Sequence, residues 1–130
     1  MESVETIKRI IATAYGSDAP YIKHSLNRNL VFTDTINQIR QAADAFWLVD
    51  AIASYRRKEV FQVWELKVDL EKKKAVLTMK EDSDTPELVR QEISHTDFPL
   101  DYIKFYVEEG GYGSMDNWTP CLVLEVPTER

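Results

Sequence analysis

The chain holds one cysteine, two histidines and four glycines, and it has no long apolar run. Each scarcity excludes something. Cys121 alone can form neither an internal disulfide nor a cysteine-rich zinc site, and a lone thiol suits a reducing compartment. His24 and His95 stand in YIKHS and ISHTDFP, without the spacing of an HExxH metal helix, so no metal and no cofactor are expected. No stretch approaches the roughly 20 apolar residues of a membrane span. The opening MESVETIKRI has acids where a secretion signal has an apolar segment. The expectation is a cytoplasmic protein with no membrane contact. A formal net charge of −6 makes direct nucleic-acid binding unfavourable, because that binding depends on phosphate neutralisation by lysine and arginine. Three of the four glycines fall in GGYG (Gly110 to Gly113), where no helix pattern follows, so they make no phosphate loop. No GxSxG elbow marks a nucleophile.

What is present is ordinary globular material, 44% hydrophobic and 29% charged over 130 residues, enough for a single domain (1–130) with one core. Val4, Ile7, Ile10, Ile11 and Ala14 recur at helical spacing, and Gly16 stands where a helix would end. Tyr21 to Phe32 shows no clean period and reads as irregular or a short helical turn. Thr33 and Asp34 suit an N-cap, and no glycine or proline interrupts the next two dozen residues. A long second helix is therefore expected from about Thr35 to about Tyr55. The period then changes to two. Glu59 to Leu70 and Lys74 to Lys80 read as a hairpin, Glu87 to Thr96 as a third strand (with a helix as the alternative), Tyr102 to Glu109 as a fourth and Cys121 to Val126 as a fifth. Gly110 to Pro120 reads as a loop. The expected architecture is α+β: two N-terminal helices, the second long, packed on a four- to five-stranded antiparallel sheet.

At about 100° per residue, an unbroken helix places Asp50 in one arc with Ile36, Ile39, Ala43 and Phe46. A carboxylate facing the core must find donors or take up a proton. Asp50 is thus either a satisfied core aspartate that pins the helix to the sheet, or a ligand-binding or catalytic carboxylate. The polar site it would anchor draws on His24, Trp47, Trp64, His95 and Asp97. Leu48 and Ile52 fall on a second apolar strip, to be covered by the first helix or by a partner subunit. Tyr112 and Trp118, aromatic residues in the glycine loop, suit a partner contact. The basic run YRRK (Tyr55 to Lys58) fits the carbonyl end of a helix better than a phosphate site.

Three stretches carry a resemblance: YIKHSLNRNLVFTDTINQI, AFWLVDAIASYRR…FQVWELKV and HTDFPLDYIKFY. Over roughly residues 15 to 107 they resemble a domain-of-unknown-function family of bacteria, phages and plasmids. Its marks are a His-bearing segment, a T-D-G helix start, Y-W-L-x-D-x-I-x-S, F-Q-x-W-x-L and T-D-F-P-L. Here Thr35 stands in place of that glycine, F-W-L in place of Y-W-L, and YGSDAP in place of an upstream F-T-G-T-E. The resemblance implies an architecture and a mobile-element setting, and no mechanism. With no catalytic constellation, the leading expectation is a non-enzymatic accessory domain that binds an unknown protein partner, as a homodimer. The alternatives are an enzyme or small-ligand binder around Asp50, or an acidic inhibitor that mimics DNA.

Overall fold

The computed structural model of the protein describes residues 4–12, 21–27, 29–82, 84–112, 116 and 119–127. Among these, three helices and seven strands follow in the order α1 (Val4–Ala12), β1 (Ile22–Lys23), β2 (Leu30–Phe32), α2 (Asp34–Ala42), α3 (Phe46–Ser54), β3 (Phe61–Asp69), β4 (Lys74–Lys80), β5 (Glu87–Ile93), β6 (Tyr102–Tyr112) and β7 (Thr119–Glu125). One sheet runs β1-β2-β7-β6-β3-β4-β5. β2 pairs with β7 in parallel, Val31 opposite Val123, and the other pairings are antiparallel.

This overturns the expectation of two helices on a four- to five-stranded antiparallel sheet. The fold is mostly sheet, and the sheet is mixed. The stretch from Tyr21 to Phe32, expected to be irregular, supplies two of the strands. It shows no alternation because β1 has two residues and β2 has three, and all three of β2 are buried. The parallel pairing joins residues 92 positions apart, as Val31 and Val123 show, a distance that no local pattern reveals. Strands β3 to β7 do lie where the alternation put them, and residues 87–93 form a strand, not a helix. β6 runs on through Gly110 and Gly111 into the segment expected to be a loop. A Cβ at Gly110 would stand 2.7 Å from Cγ2 of Val123, so glycine lets β6 and β7 run flat together there.

The second correction concerns the long helix. It is two helices, α2 and α3, separated by Ala43, Asp44 and Ala45. Asp44 has a left-handed φ of 53°. Its N–H donates to the Gln41 carbonyl at 3.3 Å, and that of Ala45 donates to the Arg40 carbonyl at 2.8 Å. These are the two bonds of a Schellman stop, with aspartate in the place usually held by glycine. Arg40 braces the break, its guanidinium 4.5 Å from the Phe32 ring and 4.9 Å from that of Phe46. Asp44→Gly is expected to raise stability by about 0.5–1 kcal/mol, since glycine relieves the left-handed strain. The shift of the urea midpoint measures it; a loss of stability would mean that the aspartate side chain has its own role.

The core lies between the helices and one face of the sheet. From the sheet come Trp64, Leu66, Leu77, Met79, Ile103, Phe105, Val107 and Leu124; from the helices come Ile7, Ile36, Ile39, Leu48, Val49 and Ile52. Thr33 starts α2 as foreseen, its Oγ1 accepting the Ile36 N–H at 3.3 Å. On the other face Tyr102 donates to Glu65 at 2.5 Å, and the Phe61 and Tyr106 rings meet at 5.1 Å. No helix among the described residues is long and apolar enough to cross a membrane.

Candidate functional site

Breaking the helix resets its phase. In α3 the buried side chains are Leu48, Val49, Ile52 and Ala53, while Phe46, Asp50 and Ser54 face outward. The expectation that Asp50 points into the core is therefore wrong: its side chain is 58% exposed. Leu48 and Ile52, expected as a second strip, lie in the core and are closed to a partner. Asp50 is not idle, however. Its Oδ1 meets Nε2 of His24 at 2.8 Å, and His24 is buried. The other ring nitrogen, Nδ1, accepts the backbone N–H groups of Leu26 at 3.1 Å and Asn27 at 3.2 Å. Two donors pointing at Nδ1 assign the ring proton to Nε2, which donates it to Asp50. Both ring nitrogens of His24 are thus committed. What the pair does is hold the turn after β1 against α3.

The turn is stitched further along. Asn27 donates its side-chain amide to the Ala53 carbonyl at 3.1 Å and accepts the Asn29 N–H at 3.2 Å. Arg56 reaches back to the Leu26 carbonyl at 2.9 Å. Arg56 ends α3 in the left-handed region, with φ 50°, its N–H donating to the Ala53 carbonyl. Arg57 forks onto Glu59 at 3.1 and 2.7 Å, and this bond holds the Glu59 carboxyl below the usual carboxylate range. The YRRK run thus does more than dress a helix end.

These two segments and the start of β7 enclose an open cleft of about 580 Å³. Asn27, Asn29, Arg56, Arg57, Lys58 and Val60 line one part of it, and Glu109, Pro120, Cys121 and Leu122 the rest. Leu26, the residue before the lining Asn27, is 74% exposed, and Val60 on the lining is 60% exposed. Arg57 is paired with Glu59, and Arg56 and Lys58 face Glu109, so cations slightly outnumber acids here on an acidic protein. Burial pushes the Cys121 thiol up. Because the thiolate is the nucleophile, alkylation of Cys121 by iodoacetamide should run several-fold slower than that of free cysteine near neutral pH and climb only on the alkaline side. A rate equal to free cysteine at pH 7.5, about one unit below the reference thiol, would contradict this.

The other expected site residues are not gathered here. Trp64 is fully buried and gives its indole N–H to Oε1 of Gln62 at 2.8 Å. Trp47 is half-buried against the core. His95 and Asp97 are exposed, and Asp97 stands 3.4 Å from Lys73 at the β3–β4 turn. β3 rises about 3.3 Å per residue, so its nine residues put that turn roughly 26 Å from the cleft end of the strand. Trp118 lies outside the described residues, as does the side chain of Tyr112. No group of three His, Cys, Asp or Glu residues placed to hold a metal occurs among the described residues. The cleft residues Asn27, Arg56, Lys58 and Val60 were missed. Their only signal was the pairing of a polar NRN with a basic RRK, which nothing in the order of residues brings together.

A mixed seven-stranded sheet, a helical layer and a cleft lined by Arg56, Arg57 and Lys58 make this an α+β fold. Within that class the chain belongs to a family of unknown function, DUF6876, whose model matches residues 6–130. No curated protein and no solved structure matches it.

Proposed function

We propose that the chain is a small accessory domain that acts by binding a protein, in the mobile-element setting its motifs suggest, and that the cleft receives an acidic segment of that partner carrying an apolar side chain. One observation carries the reading. Val60, 60% exposed, lines the same recess as Arg56, Arg57 and Lys58, and Leu26, the most exposed large apolar side chain among the described residues, directly precedes the lining residue Asn27. Exposed apolar groups beside charge are what a protein contact covers, and singly scattered ones need no such explanation. Lys58 is exposed and forms no ion pair among the described residues, so its charge is available. The volume admits a short run of side chains, and the acidic remainder of the protein repels a partner that docks elsewhere.

A peptide-display selection against the purified chain tests this. Enrichment of sequences pairing Asp or Glu with Leu, Ile or Phe is expected, with binding weakened by salt and by Lys58→Glu or Val60→Asp, both at exposed positions that leave the fold intact. Selection of neutral or basic peptides, or binding indifferent to both substitutions, would overturn it.

A further inference from the structure

β5 closes one side of the sheet, and among the described residues it pairs only with β4. The opposite edge, β1, has two residues; β5 has seven. Proteins blunt a free edge by shortening it, interrupting it with proline, bulging it, covering it or placing charges along it, and of these β5 has its charges Glu87, Arg90 and Glu92 and a bulge at one end. β5 is neither short nor interrupted, and its single irregularity lies at its start, opposite Met79 and Lys80. Its outward ladder of N–H and C=O groups is a template for another strand.

The side chains say which strand. When two copies of one strand pair antiparallel about a two-fold axis normal to the sheet, each residue faces one on the same side of the sheet. Only registers centred on a residue keep this rule. Centring on Arg90 sets Arg90 against its own copy, and centring on Glu92 does the same with that acid, and like charges directly opposite destabilise a pair. Centring on Gln91 sets Arg90 against the partner's Glu92 twice over, Val89 against the partner's Ile93 twice over, and Gln91 against itself. Arg90 and Glu92 are exposed on one side of the sheet; Val89 and Ile93 belong to the core side, and Ile93 is only half-buried in the single chain. Arg90 holds Glu87 at 3.2 Å on its open surface, while Glu92 forms no ion pair among the described residues.

We propose that β5 joins a second copy of this chain in the Gln91-centred register, making a continuous two-molecule sheet with both helical layers on one side. Roughly four to six backbone hydrogen bonds form, the two Val89–Ile93 contacts extend the apolar layer across the axis, and the two Arg90–Glu92 contacts select the register. The surface is separate from the cleft, which lies toward the β7 side of the sheet, so the proposal stands apart from the identity of any cleft ligand.

Sedimentation equilibrium of the full chain and three variants tests it. The unaltered chain should dimerise, and more weakly in high salt. Arg90→Glu and Glu92→Arg should each weaken the dimer about tenfold to a hundredfold by opposing like charges at two places. The double variant R90E/E92R, which restores opposite charges in this register alone, should recover the dimer. Circular dichroism, unchanged across the set at these exposed positions, separates lost pairing from lost fold. A monomer at every concentration, a dimer indifferent to the single changes, or a double variant no better than the singles would each overturn the proposal.

Discussion

Trp64→Ala is expected to destabilise the protein by about 3–5 kcal/mol, the range for deleting a fully buried large aromatic. The ring lies 5.8 Å from that of Tyr55 and is completely enclosed, so its loss opens a void that helices and sheet cannot both close. Part of the cost is polar. Oε1 of Gln62 accepts the indole N–H, and Nε2 of the same amide donates to the carbonyls of Glu59 at 3.0 Å and Arg57 at 3.3 Å. Trp64 therefore fixes the amide that fixes the chain leading from α3 into β3, the stretch that carries the cleft cations. Trp64→Phe keeps most of the packing but strands Oε1, which should cost about 1–3 kcal/mol. Urea unfolding measures both variants, and pairing Trp64→Phe with Gln62→Leu gives the coupling. A Trp64→Phe variant as stable as the parent would mean that this buried hydrogen bond supports nothing.

Much of the sheet was legible because period-two patterning reports its own cause. Gln62, Trp64, Leu66 and Val68 alternate, and all four are buried on one face. The strand at 87–93 was legible for the same reason. What failed was reading continuity into the absence of glycine. Asp44, Arg56 and Lys73 all take left-handed φ values, near 53°, 50° and 57°, so this chain makes two helix ends and a hairpin turn without the residue that usually marks them. One unmarked stop at Asp44 turned α3 about its axis, exposed Asp50, buried Leu48 and Ile52, and so displaced most of the expected site. His24 was legible as a candidate partner of Asp50 because a carboxylate beside the core needs a donor. Its identity among several donors depended on β1 and β2, too short for any pattern to declare.

The proposed cleft ligand and the proposed β5 pairing are two distinct modes of binding. If the two act together, pairing at β5 presents two clefts on one rigid body, and a partner with repeated acidic segments gains from the raised effective concentration of the second site. A variant broken at Arg90 would then bind single peptides as before while losing avidity for a tandem peptide.

His24→Ala should be the costliest change in the turn that carries the cleft residues Asn27 and Asn29, about 2–4 kcal/mol, although it deletes a ring of modest size. The ring fills space beneath the turn and accepts two backbone N–H groups, of which that of Asn27 is buried. Leaving one such donor unpaired costs about 1–3 kcal/mol, and the emptied volume adds to it. Asp50→Ala should cost less than about 1 kcal/mol, because its carboxylate is largely in water and the bond it accepts is of the surface kind. The asymmetry places the weight on Nδ1 and not on Nε2. His24→Asn, whose amide oxygen can stand where Nδ1 stood, should recover more than His24→Gln, whose amide reaches toward Asp50 instead. Urea midpoints order the series, and amide exchange at Leu26 and Asn27 locates the damage in the turn. As that turn loosens, the Asn27–Ala53 and Arg56–Leu26 bonds go with it, so peptide binding should fall in His24→Ala and persist in Asp50→Ala. Equal losses in the two variants would show that the histidine matters only through its carboxylate partner, and the turn would need another anchor.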